Sequence, residues 1–172
     1  MKSLLNLSFL AGCLSFISCT QNGKDAAAQT SSDSDKASAH RFTIVKSEEE
    51  WKKVLTPEQY SVLRQGGTER ACSGAFWNSH SEGMYYCAGC DNPLFVSKVK
   101  FESGTGWPSF FQPVSDTSVI QQPDTSYGMV RTEVLCYRCG GHLGHVFDDA
   151  PGTPTGMRFC MNSVAMAFRE SK

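Results

Sequence analysis

The chain has 172 residues, 40% of them hydrophobic, and its 16 basic and 17 acidic side chains leave a formal net charge of -1. That length allows one globular domain with appendages, and a charge so near zero gives no support for nucleic-acid binding. Eight cysteines stand out, and their positions say more than their number.

Residues 1–18, MKSLLNLSFLAGCLSFIS, carry one lysine, an apolar run from Leu4 to Ile17 and small residues near the end. This is the pattern of a secretory signal peptide, too short and too poorly flanked for a membrane span. Ser18-Cys19 resembles the lipid-attachment site of bacterial lipoproteins. Gly12-Cys13 fits that site locally but leaves a very short signal, and a plain cleaved signal is a third reading. Cys19 is the expected anchor, and with it an extracytoplasmic location, periplasmic or at the cell surface. Residues 19–40 are polar and lack Phe, Trp and Tyr. Such a stretch cannot offset its ordering entropy, so a flexible linker is expected ahead of a domain at 41–172.

Ser47-Glu48-Glu49-Glu50 and Thr56-Pro57-Glu58-Gln59 each have the spacing of a capping box, the second with proline at the first helical position. Two short helices are expected there, the second ending at Gly66-Gly67. Further on, glycines and prolines punctuate the runs GMYYCAG, PLFVSKVKF, SVIQQ, YGMVRTEVLCY and HVFDD. These predict strands joined by turns, hence a mainly β single domain with a helical lead-in.

Cys87-Ala88-Gly89-Cys90 and Cys136-Tyr137-Arg138-Cys139 each place two sulfurs on a tight turn. Brought together, they supply the four thiolates of a structural zinc ion (Zn2+) that clamps distant halves of the domain and leaves no open coordination position for catalysis. In an exported protein two other readings stand beside zinc: static disulfides, or a thioredoxin-like redox pair.

The remaining candidates surround two unpaired cysteines. Read as a strand, MRFCMNS puts Arg158, Cys160 and Asn162 on one face and Met157, Phe159 and Met161 on the other. A guanidinium near the thiol favours the thiolate a nucleophile needs, whereas the plainer reading of Cys160 is packing. His142 and His145 in GGHLGHVFDD are available for proton transfer, and spacing does not decide whether both rings face one way. Trp107, Pro108, Phe110 and Phe111 in SGTGWPSFF are either core or the lining of a pocket for a methyl-sulfur group. Cys72, in a loop after the helices, can resolve an oxidised Cys160 by forming a disulfide, or can be an ordinary structural cysteine or, in an exported protein, half of a static disulfide to Cys160.

Taken in order, GTERACSGAF, GMYYCAGCDNPLF, FESGTGWPSF, SYGMVRTEV, CYRCGGHLGHVF and MRFCMNS resemble the peptide methionine-R-sulfoxide reductases, from about Glu48 to Phe168. The resemblance implies a domain of coiled antiparallel β-sheets with short N-terminal helices. It also implies zinc on Cys87, Cys90, Cys136 and Cys139, and Cys160 as the nucleophile. The sulfoxide methyl is expected against Trp107, with Phe110 as the second substrate-binding residue. His142, His145 and Asn162 are expected around the sulfoxide oxygen, with Arg158 and Asp149 shaping the site. Many relatives carry a resolving cysteine in SGCGWPSF, where this chain has Thr105; others use an upstream cysteine, which transfers that role to Cys72. The R preference comes from the resemblance alone.

The chemistry so implied is attack of the Cys160 thiolate on the sulfoxide sulfur, protonation of the oxygen by His145 in preference to His142, and a Cys160 sulfenic acid that condenses with Cys72. Oxidised proteins are the expected substrate. Thioredoxin, or a thioredoxin-like reductant outside the cytoplasm, reopens the disulfide; a monomer is the default. Two other classes compete. A zinc-stabilised binding module without catalysis leaves Cys160, Cys72 and the histidines without a role. A thiol-disulfide oxidoreductase places its dithiol in a Cys-x-x-Cys pair and needs no zinc.

Overall fold

The computed structural model describes residues 40–171. The expected signal peptide, the Cys13 and Cys19 lipidation sites and nearly all of the linker lie outside those residues. Both helices begin at their capping boxes. Helix α1, Glu48–Val54, starts where the Ser47 hydroxyl accepts from the Glu50 amide at 3.3 Å and the Glu50 carboxylate accepts from the Ser47 amide at 2.8 Å. Helix α2, Pro57–Gln65, repeats this with Thr56 and Gln59 and ends on Gly66 at φ 68, a left-handed position that glycine takes without a Cβ clash. The buried faces of the helices present Trp51, Val62 and Leu63 to the core.

Nine strands follow: β1 Gly83–Cys87, β2 Pro93–Val96, β3 Lys100–Phe101, β4 Ser109–Phe110, β5 Val119–Asp124, β6 Arg131–Cys136, β7 His142–Ala150, β8 Gly156–Met161 and β9 Met166–Glu170. They form a three-stranded sheet in the order β2-β1-β9 and a six-stranded sheet in the order β3-β4-β8-β7-β6-β5. Every pairing is antiparallel. Aromatic rings tie the sheets together: Phe95 of β2 stacks on Phe110 of β4 at 4.4 Å, and Tyr85 of β1 meets the same Phe110 edge-on at 5.0 Å. All three are fully buried, each stabilising the fold by about 2–3 kcal/mol through removal of apolar surface from water.

Two local readings change. The run YGMVRTEVLCY becomes a strand only at Arg131, because Tyr127 and Gly128 both hold positive φ, 55 and 70, in a turn after β5. Strand β9, MAFRE, pairs along β1 and was not anticipated; its alternation is short and ends in two charged residues that look like a terminus.

Candidate active site and metal centre

The two Cys-x-x-Cys turns are built alike. In the first, the Asp91 amide donates to the Cys87 carbonyl at 2.9 Å and the Cys87 amide to the Asn92 carbonyl at 2.8 Å; in the second, Gly140 donates to Cys136 at 2.9 Å and Cys136 to Gly141 at 2.8 Å. Each turn needs one residue at positive φ, Asp91 at 61 and Gly140 at 67, residue types that tolerate that region. One turn leaves the small sheet at the end of β1, the other leaves the large sheet at the end of β6, so the cluster joins the two sheets.

All four sulfurs lie within 4.8 Å of one another, with Cys87 3.7 Å from Cys139 and Cys90 3.4 Å from Cys136. A tetrahedral ion with Zn–S bonds of about 2.3 Å sets its sulfurs about 3.8 Å apart, so the donor set and its size fit zinc. The sulfurs are one another's partners and compete for shared protons, pushing the Cys87 and Cys90 thiols up and Cys136 and Cys139 down. A divalent cation resolves this by holding all four as thiolates. The helices roof the cluster: a Cβ on Gly89 would touch Trp51 and Leu63, and one on Gly141 would press on Leu63 and the Cys139 sulfur.

The unpaired Cys160 sits elsewhere, in the middle of the large sheet. Strand register places Glu133 of β6 opposite His145 of β7, His145 opposite Cys160 of β8, and Cys160 opposite Ser109 of β4. Directly opposed residues share a face, so these four side chains form one row across four strands. His142 joins them through an irregularity that the sequence did not reveal. Val134 pairs with Gly144 but Leu135 pairs with His142, so β7 has one residue more than β6 here. This bulge changes the alternation and brings the His142 and His145 rings to 5.4 Å, edge to face. Gly144 is required beside it, since a Cβ there would collide with the Cys160 carbonyl oxygen.

The two imidazoles are prepared differently. His142 is 5% exposed, and burial pushes its pKa down despite the Glu133 carboxylate 2.6 Å from Nδ1. It is therefore neutral at pH 7, giving its Nδ1 proton to Glu133, and the buried Nε2 is a bare acceptor without a partner. His145 instead has Nε2 2.7 Å from Asp124. Hydrogen bonds from Ser126, then His145 and Arg131, hold the Asp124 carboxyl well below the usual carboxylate range, so a fixed negative charge stands behind this ring. An imidazolium is disfavoured at His142.

Cys160 departs from expectation. The Arg158 guanidinium does favour its thiolate, as do the Thr105 hydroxyl, 3.9 Å from Sγ, and Ser109, but burial outweighs them and pushes the thiol up. Most of the Arg158 donor capacity goes to a bidentate pair with Asp149, at 2.8 and 2.6 Å, with the guanidinium stacked 4.4 Å over Phe147.

Asn162, expected to face a substrate oxygen, lies beyond the end of β8, is 3% exposed and is occupied with backbone: it donates to the Leu143 carbonyl at 3.0 Å and accepts from the Glu69 amide at 3.0 Å. Phe110 is corrected outright; its ring is sealed in the core on Phe95 and has no face left for a substrate. Trp107 is half-buried, its indole N–H donating to the Glu69 carbonyl at 3.1 Å. Cys72 is an exposed free thiol at φ 61. Its amide donates to the Gly106 carbonyl at 2.8 Å, and a Cβ on Gly106 would sit 2.8 Å from its sulfur. The loop at 105–106 thus touches both unpaired thiols.

Comparison with known proteins is decisive at this point. The SelR domain matches residues 55–170. A peptide methionine sulfoxide reductase MsrB from Leptospira interrogans is 56% identical over 129 residues, covering 75% of this chain and 98% of the relative. One from Methanosarcina barkeri is 60% identical over 126 residues, covering 73% and 88%, and one from Agrobacterium fabrum 54% identical over 125 residues, covering 73% and 92%. The chain belongs to the MsrB family.

In this MsrB domain several residues of the site had no sequence signal. Glu69 accepts the Ser163 and Val164 amides at 2.7 and 2.9 Å on its carboxylate, while its backbone holds Trp107 and Asn162. One residue thus ties the segment before Cys72 to the tryptophan and to the chain just after Cys160. Glu133 and Asp124, which set the two histidines apart, are likewise brought in only by strand pairing. Isolated acidic residues in a charged chain carry no local mark.

Proposed function

We propose that this chain reduces the R epimer of methionine sulfoxide in proteins, with Cys160 as nucleophile, His145 as proton donor and Cys72 as resolving thiol. The observation that carries this reading is the row Glu133, His145, Cys160, Ser109 across four strands, with His142 turned onto the same face by the bulge. The Cys160 thiolate attacks the sulfoxide sulfur while His145, hydrogen-bonded to Asp124, gives a proton to the sulfoxide oxygen. The resulting hydroxyl passes from the substrate sulfur to the Cys160 sulfur as the new S–S bond breaks, which releases methionine and leaves Cys160 as a sulfenic acid. The Cys72 thiolate then attacks the Cys160 sulfur, the hydroxyl leaves as water, and a Cys72–Cys160 disulfide holds the two electrons' worth of oxidation. Contact of loop 105–106 with both thiols supports this pairing. A dithiol reductant of the thioredoxin type reduces the disulfide. Arg158 fixed by Asp149, and Asn162 and Trp107 fixed by Glu69, position the strand end and the aromatic wall. Zinc, when bound by Cys87, Cys90, Cys136 and Cys139, supplies no chemistry to the reaction but fixes the sheets relative to each other.

We further propose, from the lipoprotein-type signal read in residues 1–18, an enzyme outside the cytoplasm anchored through Cys19, recycled by an extracytoplasmic reductant and monomeric; among the described residues no helix is long and apolar enough to cross a membrane. The test is turnover of R- and S-methionine sulfoxide, peptide-bound and free, with dithiothreitol, beside Cys160→Ser. R-specific reduction lost in the variant is expected. Absence of turnover by folded, zinc-loaded, reduced wild-type protein would leave a zinc-stabilised binding module as the better reading.

A further inference from the structure

Between Ser103 and Ser109 the chain bends at Gly104 and Gly106, both at positive φ, and brings three hydroxyl groups into one line. Ser109 Oγ donates to the Trp107 carbonyl at 3.3 Å and lies 2.7 Å from Ser103 Oγ; Ser103 Oγ lies 2.8 Å from Thr105 Oγ1, and Thr105 Oγ1 lies 3.9 Å from Cys160 Sγ. Ser109 is fully buried and stands opposite Cys160 in the register of β4 and β8. A buried hydroxyl needs a partner to escape the cost of being stranded, and the Trp107 carbonyl alone meets that need. The other two hydroxyls continue the line to the sulfur.

Each hydroxyl both donates and accepts, so the line can carry its hydrogens in either direction. While Cys160 is a thiol, its S–H points to Thr105, Thr105 donates to Ser103, Ser103 to Ser109, and Ser109 to the Trp107 carbonyl. Once that proton leaves, all three hydroxyls can turn round: Thr105 donates to the sulfur, Ser103 to Thr105 and Ser109 to Ser103. The bond given up is the one to Trp107, the longest oxygen–oxygen contact in the line. Hydrogen bonds to an ion are stronger than neutral ones, and each donor is polarised by the one behind it, so an anionic sulfur favours the reversed line. The charged and titratable groups around Cys160 are engaged elsewhere or lie on another loop. Arg158, on the same strand, is held by both carboxylate oxygens of Asp149. His145 faces Cys160 from β7 with Nε2 on Asp124, and Cys72 lies across Gly106. Of the influences that favour the thiolate, the Thr105 hydrogen bond is the largest.

We propose that Thr105 is a further catalytic residue, donating a hydrogen bond to the anionic sulfur of Cys160, and that Ser103 and Ser109 are positioning residues that keep its hydroxyl turned to that sulfur. The catalytic part of the proposal rests on the reductase reading above. The experiment uses full-length, zinc-loaded, reduced protein and two readouts. One is the pH midpoint of Cys160 alkylation by iodoacetamide, followed by peptide mass spectrometry; the other is the single-turnover rate of methionine formation from an R-sulfoxide peptide at pH 7. Thr105→Val keeps the side-chain shape and removes the donor. Its midpoint should rise by about one pH unit, leaving about tenfold less thiolate at neutral pH, and methionine formation should slow about tenfold. Thr105→Ser returns the hydroxyl and should restore both readouts. Ser103→Ala, which touches no reacting atom, should move the midpoint the same way by about half as much. With an active wild type, an unmoved midpoint in Thr105→Val, equal losses in Thr105→Val and Thr105→Ser, or a midpoint shift without slower turnover would overturn the proposal alone. Should Thr105→Val fail to fold, an unmoved midpoint in Ser103→Ala would overturn it. Inactivity of the wild type would overturn the reductase reading and the catalytic assignment with it.

Discussion

The metal centre and the Cys160 row use the same side chain under opposite conditions. In the cluster, sulfur meets sulfur: two backbone turns with matching hydrogen bonds aim four thiols at one point, between the sheets and under Trp51 and Leu63. Around Cys160 the hydrogen-bonding neighbours are hydroxyl groups and a guanidinium, on a strand whose other face is core. The first arrangement consumes all its donors in one closed site; the second leaves one sulfur without another sulfur beside it, in the row with His145. Neighbours, not the thiol itself, decide between scaffold and reagent.

The strongest way to break that division is to remove a cluster ligand. Structural zinc contributes on the order of 10–16 kcal/mol in small zinc-binding peptides, as much as the ~5–15 kcal/mol that stabilises a typical domain. Cys136→Ser should therefore give protein without bound zinc and without a cooperative thermal transition, read by metal analysis and circular dichroism. A native melt from metal-free variant would show that the cluster does not hold the sheets. Cys160→Ser should do the reverse, keeping the zinc and the melting temperature while abolishing turnover. If it also loses metal, the two regions are not separable.

A smaller effect sharpens the catalytic half. Asp124→Asn removes the negative charge behind His145 and should lower kcat by about 10²–10⁴, the usual worth of general acid catalysis, measured by product formation from an R-sulfoxide peptide. A variant of native melt and full kcat would move the proton donor away from His145. Smaller again is the alkylation of the two free thiols. Burial raises the Cys160 pKa, so in the resting enzyme less of it is thiolate at neutral pH than of an ordinary cysteine, and its thiolate fraction climbs as pH rises through a window above the usual thiol range. Iodoacetamide at pH 7 should label exposed Cys72 several-fold faster than Cys160, with the Cys160 rate still rising at pH 9, as followed by peptide mass spectrometry. Faster labelling of Cys160 at pH 7 would show that Arg158 outweighs burial.

Much of this was legible in the chain because the signals are local. Capping boxes at Ser47 and Thr56 fixed both helix starts within a residue, and doubled Cys-x-x-Cys turns announced the cluster. What escaped is nonlocal. The bulge that turns His142 toward His145 exists only in the pairing of β7 with β6. Glu69, Asp124 and Glu133 reach the site through pairing and loop packing. Phe110 and Trp107 are three positions apart in one motif, yet one is core and the other half-buried, because β4 carries Phe110 between the sheets while Trp107 stays in the loop before it. The Cys160 environment misled in a further way: the alternation of β8 was read correctly, but polar neighbours in sequence do not reveal how far the sheet buries them.

The most direct test of the division between scaffold and reagent is a single turnover without reductant. Fully reduced, zinc-loaded full-length protein would be mixed with excess R-sulfoxide peptide, then analysed by disulfide mapping and metal content. The account predicts one methionine formed per chain, a disulfide between Cys72 and Cys160, and zinc retained. A disulfide within Cys87–Cys90 or Cys136–Cys139, with zinc released, would contradict it and place the redox chemistry in the cluster.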